Sequence, residues 1–268
     1  MNELQTIQFD MLKTFWDICS KLDLHPYLIC GSAIGSVKYQ GFIPWDDDVD
    51  VALIRPEYER FLREAPSLLP KDLFLQNART DPAFPQLYSK IRKNGTSYVE
   101  ERAAHLPIHH GIYIDLFPLD GMPENRLAAW FVEQQLRVCK LHLLCAYGKG
   151  GSRKEQLIHR FGRLLGWHKH TNRIIRRTER RMAACDPAAA KQWRCYGNWR
   201  VSRDCAPKAQ YGKGKTMLFE GVPMRVPAQY DEYLTQRYGD WRSDLPAHEK
   251  HGRQAVIDTH SDLLWRKK

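Results

Sequence analysis

The stretch Trp45-Asp46-Asp47-Asp48-Val49-Asp50-Val51 constrains this chain more than any other, because it sets four carboxylates within five residues. Charges packed this closely repel one another. The neighbouring Val49, Val51 and Leu53 mark the segment as partly apolar, unlike a solvated acidic loop. A hard divalent cation resolves the conflict, since Mg²⁺ favours carboxylate oxygens. On an extended backbone, side chains at i, i+2 and i+4 share one face. Asp46, Asp48 and Asp50 are then expected to point together, with Asp47 on the opposite face and Val49 and Val51 turned into the core.

Upstream, Pro26 to Cys30 is a short apolar run of strand length. It stops at Gly31-Ser32, and a helix is expected over 33–38. Glycine lets the backbone approach a ligand, and a first helical turn offers N–H groups to an anion. Gly31 and Ser32 are therefore candidate phosphate contacts one short connection before the acidic segment. Lys90 and Arg92, alternating within Ser89-Lys90-Ile91-Arg92-Lys93, would share a strand face as basic partners for phosphate, and Lys38 is a further candidate. Asp115 is a lone acid in the apolar strand Ile112–Phe117, where its bland role would be a cap or strand end. Asp120, just before Gly121, reads as a turn residue.

Strand, Gly-Ser, helix, then Asp-x-Asp on the next strand is the order of the nucleotidyltransferase fold. Cys30 to Val51 (CGSAIGSVKYQGFIPWDDDVDV) resembles the signature of the LicD family more closely still. Gly111 to Asp120 (GIYIDLFPLD) resembles its second motif. Phe219 to Pro227 (FEGVPMRVP), with Tyr233-Leu234 and Tyr238-Gly239-Asp240, resembles its C-terminal motif. The resemblance implies an α/β (α+β) fold, a nucleotidyltransferase-like mixed sheet flanked by helices with a helical insertion.

It also implies a transferase that moves a phospho-alcohol from a CDP-activated donor to a hydroxyl of a cell-surface glycan of lipopolysaccharide, teichoic acid or capsule type. Phosphocholine from CDP-choline is the first expectation. Ribitol phosphate, the cargo of fukutin-type relatives, glycerol phosphate and ethanolamine phosphate are the alternatives. A nucleotide- or glycan-binding protein without catalysis is the alternative of another class, and the intact Asp48, Asp50 and Asp115 argue against it. The family pattern makes Asp48 and Asp50 metal ligands and Asp46 a third ligand or its neighbour. It makes Asp115 either a further ligand or the acceptor of the sugar's proton, with Mg²⁺ or Mn²⁺ as cofactor. Lys90 lies in a segment that matches a basic family segment. A choline cargo would want aromatic faces, for which Trp45, Tyr88, Tyr98 and Tyr113 are candidates.

Leu4, Ile7, Met11, Leu12, Phe15, Ile18, Cys19 and Leu22 predict an amphipathic helix over 4–24. A second helix is predicted over 55–69, with Pro56 in its first turn. Strands are expected near 73–77, 87–92, 96–100 and 111–117. Residues 125–184 read as helical, broken at Gly148-Lys149-Gly150-Gly151 and at Gly166-Trp167, and become strongly basic through Arg173, Arg176, Arg177, Arg180 and Arg181. A hairpin over 217–226 and a helix over 229–238 follow. The expected organisation is a catalytic core (1–124), a basic helical insertion (125–210) and a C-terminal hairpin and helix that complete the core (211–268).

The net charge of +10 raises nucleic-acid binding, but no nucleic-acid motif accompanies it. Basic residues gathered in the insertion suit an anionic membrane surface or an acidic glycan equally well. The sequence has neither a long apolar run of transmembrane length nor a signal-peptide pattern. Seven cysteines, an odd number, suggest reduced thiols and hence a cytoplasmic protein; the basic insertion adds a peripheral position at the inner face of the membrane as a further expectation. His168, His170, Cys185, Cys195 and Cys205 raise a structural zinc site, against which the missing C-x₂-C spacing argues.

Overall fold

The first helix, α1 (Glu3–Lys21), begins on a capping box. The Gln5 N–H donates to Asn2 Oδ1 at 2.8 Å, and the Asn2 N–H donates to Gln5 Oε1 at 3.1 Å. Its apolar stripe buries Met11, Leu12, Phe15, Ile18 and Cys19, as the spacing predicts, and α1 packs on the longest strand of the central sheet. The computed structural model describes residues 1–148, 153–195, 201–244, 246, 250, 252 and 255–262.

The strands are β1 (Tyr27–Leu28), β2 (Asp50–Ile54), β3 (Leu73–Gln76), β4 (Ser89–Lys93), β5 (Ser97–Glu100), β6 (Tyr113–Gly121), β7 (Gln192–Arg194), β8 (Cys205–Pro207), β9 (Lys215–Phe219), β10 (Val222–Val226) and β11 (Ala255–Asp258). The remaining helices are α2 (Cys30–Ile34), α3 (Arg55–Glu64), α4 (Arg126–Tyr147), α5 (Arg153–Leu164), α6 (Thr171–Ala183), α7 (Val201–Asp204), α8 (Lys208–Tyr211) and α9 (Tyr230–Tyr238). The main sheet runs β1-β2-β6-β4-β3, with β7 added to β6 and β8 to β7. Its β2–β6 pair is parallel and the other pairs are antiparallel, so the sheet is mixed, as expected.

Three elements depart from the sequence reading. The first strand covers only Tyr27–Leu28, and the helix starts at Cys30 in a left-handed conformation (φ 52°), so Gly31 and Ser32 lie inside its first turn. A π-helical turn, Gly35–Tyr39, continues it. The acidic strand begins only at Asp50, and residues 46–49 lead into it. Finally, β6 runs four residues past Phe117 to Gly121, so Asp120 is a strand residue and not a turn. It is fully buried, and Arg55 grips its carboxylate through Nε (2.5 Å) and Nη2 (2.7 Å). A buried carboxylate needs such a partner, and a turn would not have supplied one.

Within the expected helical insertion (125–210) lie α4 to α6, whereas β7 and β8 are strands that join the main sheet through β6. The Asn125 side chain caps α4 by accepting the Leu127 and Ala128 N–H groups, and Gly148 ends it with φ 60°. Lys149, Gly150 and Gly151, part of the predicted break, lie outside the described residues. The cysteines are all free thiols. Among the described residues no metal-ligating group joins them to His168 or His170.

Candidate active site

Strand register builds the site. Asp50 on β2 lies opposite Asp115 on β6, and Asp115 lies opposite Lys90 on β4. Three adjacent strands thus place two carboxylates and an ammonium in one row. Asp48, just ahead of β2, joins them, and ligand oxygens of Asp48, Asp50 and Asp115 lie within 4.8 Å of one another. Asp48 and Asp115 are buried and Asp50 is half-buried. The Lys90 Nζ sits 2.7 Å from Asp115 Oδ1 and 3.2 Å from the centroid of the Tyr113 ring.

A second trio, Asp46, Asp47 and Asp48, shares Asp48 with the first and also spans no more than 4.8 Å. The expected single face of Asp46, Asp48 and Asp50 is therefore replaced by two overlapping trios. Strand alternation sets Asp47 apart, but the backbone at 46–49 is not a strand, so that alternation does not apply. Asp47 is buried, and its Oδ2 accepts the Tyr98 hydroxyl at 2.7 Å. Val49 and Val51 are fully buried, as predicted.

The surrounding backbone holds the acids in place. Gln5 Nε2 donates to the Asp46 carbonyl (3.0 Å), and Gln8 Nε2 donates to the carbonyls of Asp47 (2.8 Å) and Tyr113 (3.2 Å). The Asp115 N–H donates to the Val49 carbonyl at 2.7 Å. Gln5 and Gln8 were missed by the sequence reading. Their signal was available, because both are polar residues on the buried face of an amphipathic helix.

Gly31 and Ser32 serve the acids directly. A Cβ at Gly31 would stand 2.9 Å from Asp46 Oδ2, so glycine is what admits the Asp46 carboxylate beside α2. The Ser32 hydroxyl accepts the Asp50 N–H at 2.9 Å. Arg92 shares the Lys90 face, since both cations overlie Tyr113. Its guanidinium nevertheless goes to Gln76 Oε1 (2.7 Å) and the Gly111 carbonyl (2.6 Å), and burial draws its pKa below the usual arginine value. Lys38 Nζ binds Asp244 (2.6 Å) and the Arg242 carbonyl (2.8 Å). Of the basic candidates, Lys90 alone contacts the carboxylate row through a described ion pair; Arg92 and Lys38 have the other partners just named.

Tyr98 and Tyr113 are buried core rings packed edge to face. Tyr88 lies against Phe117. Trp45 is half-buried beside Tyr39, and the Lys250 ammonium stands 4.8 Å from its ring centroid.

The C-terminal motif closes on the first. The Tyr233 hydroxyl accepts the Cys30 N–H at 3.3 Å. Ser36 Oγ donates to the Leu218 carbonyl at 3.0 Å, and Glu220 Oε1 accepts the Phe42 N–H at 3.0 Å.

A mixed sheet with paired acids where β2 begins and a third on the adjacent parallel strand is the arrangement expected of a nucleotidyltransferase-like domain. Residues 24–135 match the family model described as LicD/FKTN/FKRP, nucleotidyltransferase domain. Over 266 residues the chain is 26% identical to the lipopolysaccharide cholinephosphotransferase LicD of Haemophilus influenzae, covering 93% of each chain. Residues 24–135 are thus similar to a LicD-type nucleotidyltransferase domain.

Proposed function

We propose that this protein is a phosphotransferase that moves phosphocholine from CDP-choline to a hydroxyl of a lipopolysaccharide-type glycan. The observation that carries the reading is the Asp48–Asp50–Asp115 trio with Lys90 beside it. An all-carboxylate donor set of this size fits Mg²⁺ or Mn²⁺, with Asp46 as an additional ligand or neighbour. The bound cation would supply charge neutralisation at the pyrophosphate.

The chain's own residues do the rest. The acceptor hydroxyl oxygen attacks the choline-bearing phosphorus, the bond to the bridging oxygen breaks, and CMP leaves. The hydroxyl proton passes to a carboxylate of the row, for which Asp115 is the candidate. Lys90, held over Tyr113, offsets negative charge on the transferring group. Gly31 and Ser32 keep the acids in register. The Trp45 ring, which already hosts the Lys250 ammonium, is the aromatic face suited to the quaternary ammonium.

A lipid-linked acceptor calls for peripheral contact with an anionic membrane. Leu127, Trp130 and Phe131 on α4 and Leu157, Phe161 and Leu164 on α5 expose their apolar side chains, flanked by exposed Arg126, Arg137, Arg160 and Arg163. Among the described residues no helix is long and apolar enough to cross a membrane.

The test is CMP release with CDP-choline, CDP-ethanolamine, CDP-glycerol and CDP-ribitol, each with Mg²⁺ and with or without delipidated lipopolysaccharide. Acceptor-dependent release with CDP-choline above the others is expected. Release with another donor alone transfers the reading to that phospho-alcohol. Tight nucleotide binding without turnover with any donor would make it a binding protein.

A further inference from the structure

At the far end of β6 from Asp115, a cavity of about 400 Å³ opens between α6 and the loop after β3. Arg79, Asn172, Arg173, Arg176, Glu179 and Arg180 line it. Arg173, Arg176 and Arg180 follow one another at i, i+3 and i+7, so one helix face presents three guanidinium groups to the same space. Among the described residues Arg173 and Arg176 make no ion pair, while the Arg180 Nε donates only to the Arg176 carbonyl. Arg79 faces them across the cavity and is bound to Glu59 at 3.1 Å. Asn172 fixes the opposing loop by donating to the carbonyls of Ala78 (2.6 Å) and Pro82 (3.0 Å).

Like charges this close on a helix repel one another, and a bound anion removes that repulsion. Planar guanidinium forks fit the oxygens of a phosphate in paired hydrogen bonds. We infer that this cavity is a binding site for a phosphate-bearing group, separate from the carboxylate row. Four strand residues separate Asp115 from Asp120 beneath it, a rise of five steps or about 17 Å of extended chain. The inference stands independently of the transferase reading.

Glu179 forms part of the lining and is buried. Burial raises its pKa to about 7, with Glu59 and Asp120 adding to the shift and Arg55 and Arg79 opposing it. Arg176 and Arg180 flank it on α6, and Tyr58 of α3 lies within its electrostatic reach. Its protonated form donates a hydrogen bond to an anion, whereas its carboxylate repels one.

The test uses sulfate, whose charge does not change near neutrality, titrated calorimetrically into the whole protein with EDTA present. Saturable binding is expected, about tenfold weaker in Arg173→Ala/Arg176→Ala. The control Arg137→Ala/Arg160→Ala removes the same formal charge elsewhere on the surface and should change affinity less than about twofold. Wild-type binding should weaken from about pH 6 to about pH 8, and Glu179→Gln should flatten that dependence. Displacement by glucose 1-phosphate identifies a sugar phosphate as the source, and displacement by dihexanoyl phosphatidylglycerol identifies a lipid headgroup. Absence of saturable binding, equal loss in both arginine pairs, or displacement by neither compound overturns the assignment.

Discussion

Replacing Asp48 with Asn separates a metal site from an ordinary acidic cluster. Its ligand oxygen lies within 4.8 Å of those of Asp50 and Asp115, and within the same limit of Asp46 and Asp47. Two unit charges at 4.8 Å repel by about 3 kcal/mol at an effective dielectric near 20. Lys90 offsets part of this through Asp115, and residual solvent at the half-buried Asp50 screens more. A net gain on the order of 1–3 kcal/mol is left for Asp48→Asn without metal. For a chain this long that is a rise of very roughly 2–10 °C in Tm. Saturating Mg²⁺ should reverse the order, stabilising the wild type and leaving the variant nearly unmoved. Differential scanning calorimetry in EDTA and in Mg²⁺ reads both effects. A variant less stable than wild type in EDTA, or one with an undiminished response to Mg²⁺, would refute the reasoning.

Asp120→Asn leaves the buried Arg55 without its principal counter-charge and should cost about 3–5 kcal/mol in urea unfolding; a loss under about 1 kcal/mol would contradict the buried pair. Glu179 has a folded pKa of about 7, raised from 4.5, so its penalty is absent at low pH and accrues as pH rises between those values. Glu179→Gln should therefore gain up to about 3 kcal/mol relative to wild type between about pH 4 and about pH 8, and a pH-independent difference would disprove the shift. Trp130→Ala/Phe161→Ala should lose co-sedimentation with phosphatidylglycerol vesicles while keeping wild-type CMP release from a delipidated acceptor, and undiminished co-sedimentation would clear that face of the role.

Residue pattern made much of this fold legible. The 3.6-residue spacing in α1 and the apolar runs at β3 and β6 located those elements to within a few residues, because their patterning reflects buried faces. The short β7, β8 and β11 have no such signature and exist through pairing with β6, β7 and β5. The acids Asp48, Asp50 and Asp115 were identifiable as a group, yet their meeting depends on register between β2 and β6, which only the folded chain specifies. Asp47 and Asp120 were misplaced for the same reason. Local alternation and a following glycine say nothing about where a strand starts or stops. Gln5 and Gln8 show the converse, since polar side chains on a buried helical face indicated a buried partner without naming the carbonyls of Asp46 and Asp47.

The central claim is that Asp48, Asp50 and Asp115 together hold a divalent cation that binds the CDP-alcohol donor. Mn²⁺ titration followed by electron paramagnetic resonance, with and without CDP-choline, tests it most directly. Wild-type protein should bind Mn²⁺ saturably and more tightly when CDP-choline is present, and Asp50→Asn and Asp115→Asn should lose both effects. Undiminished Mn²⁺ binding in those variants, or wild-type binding that ignores the nucleotide, would contradict the account.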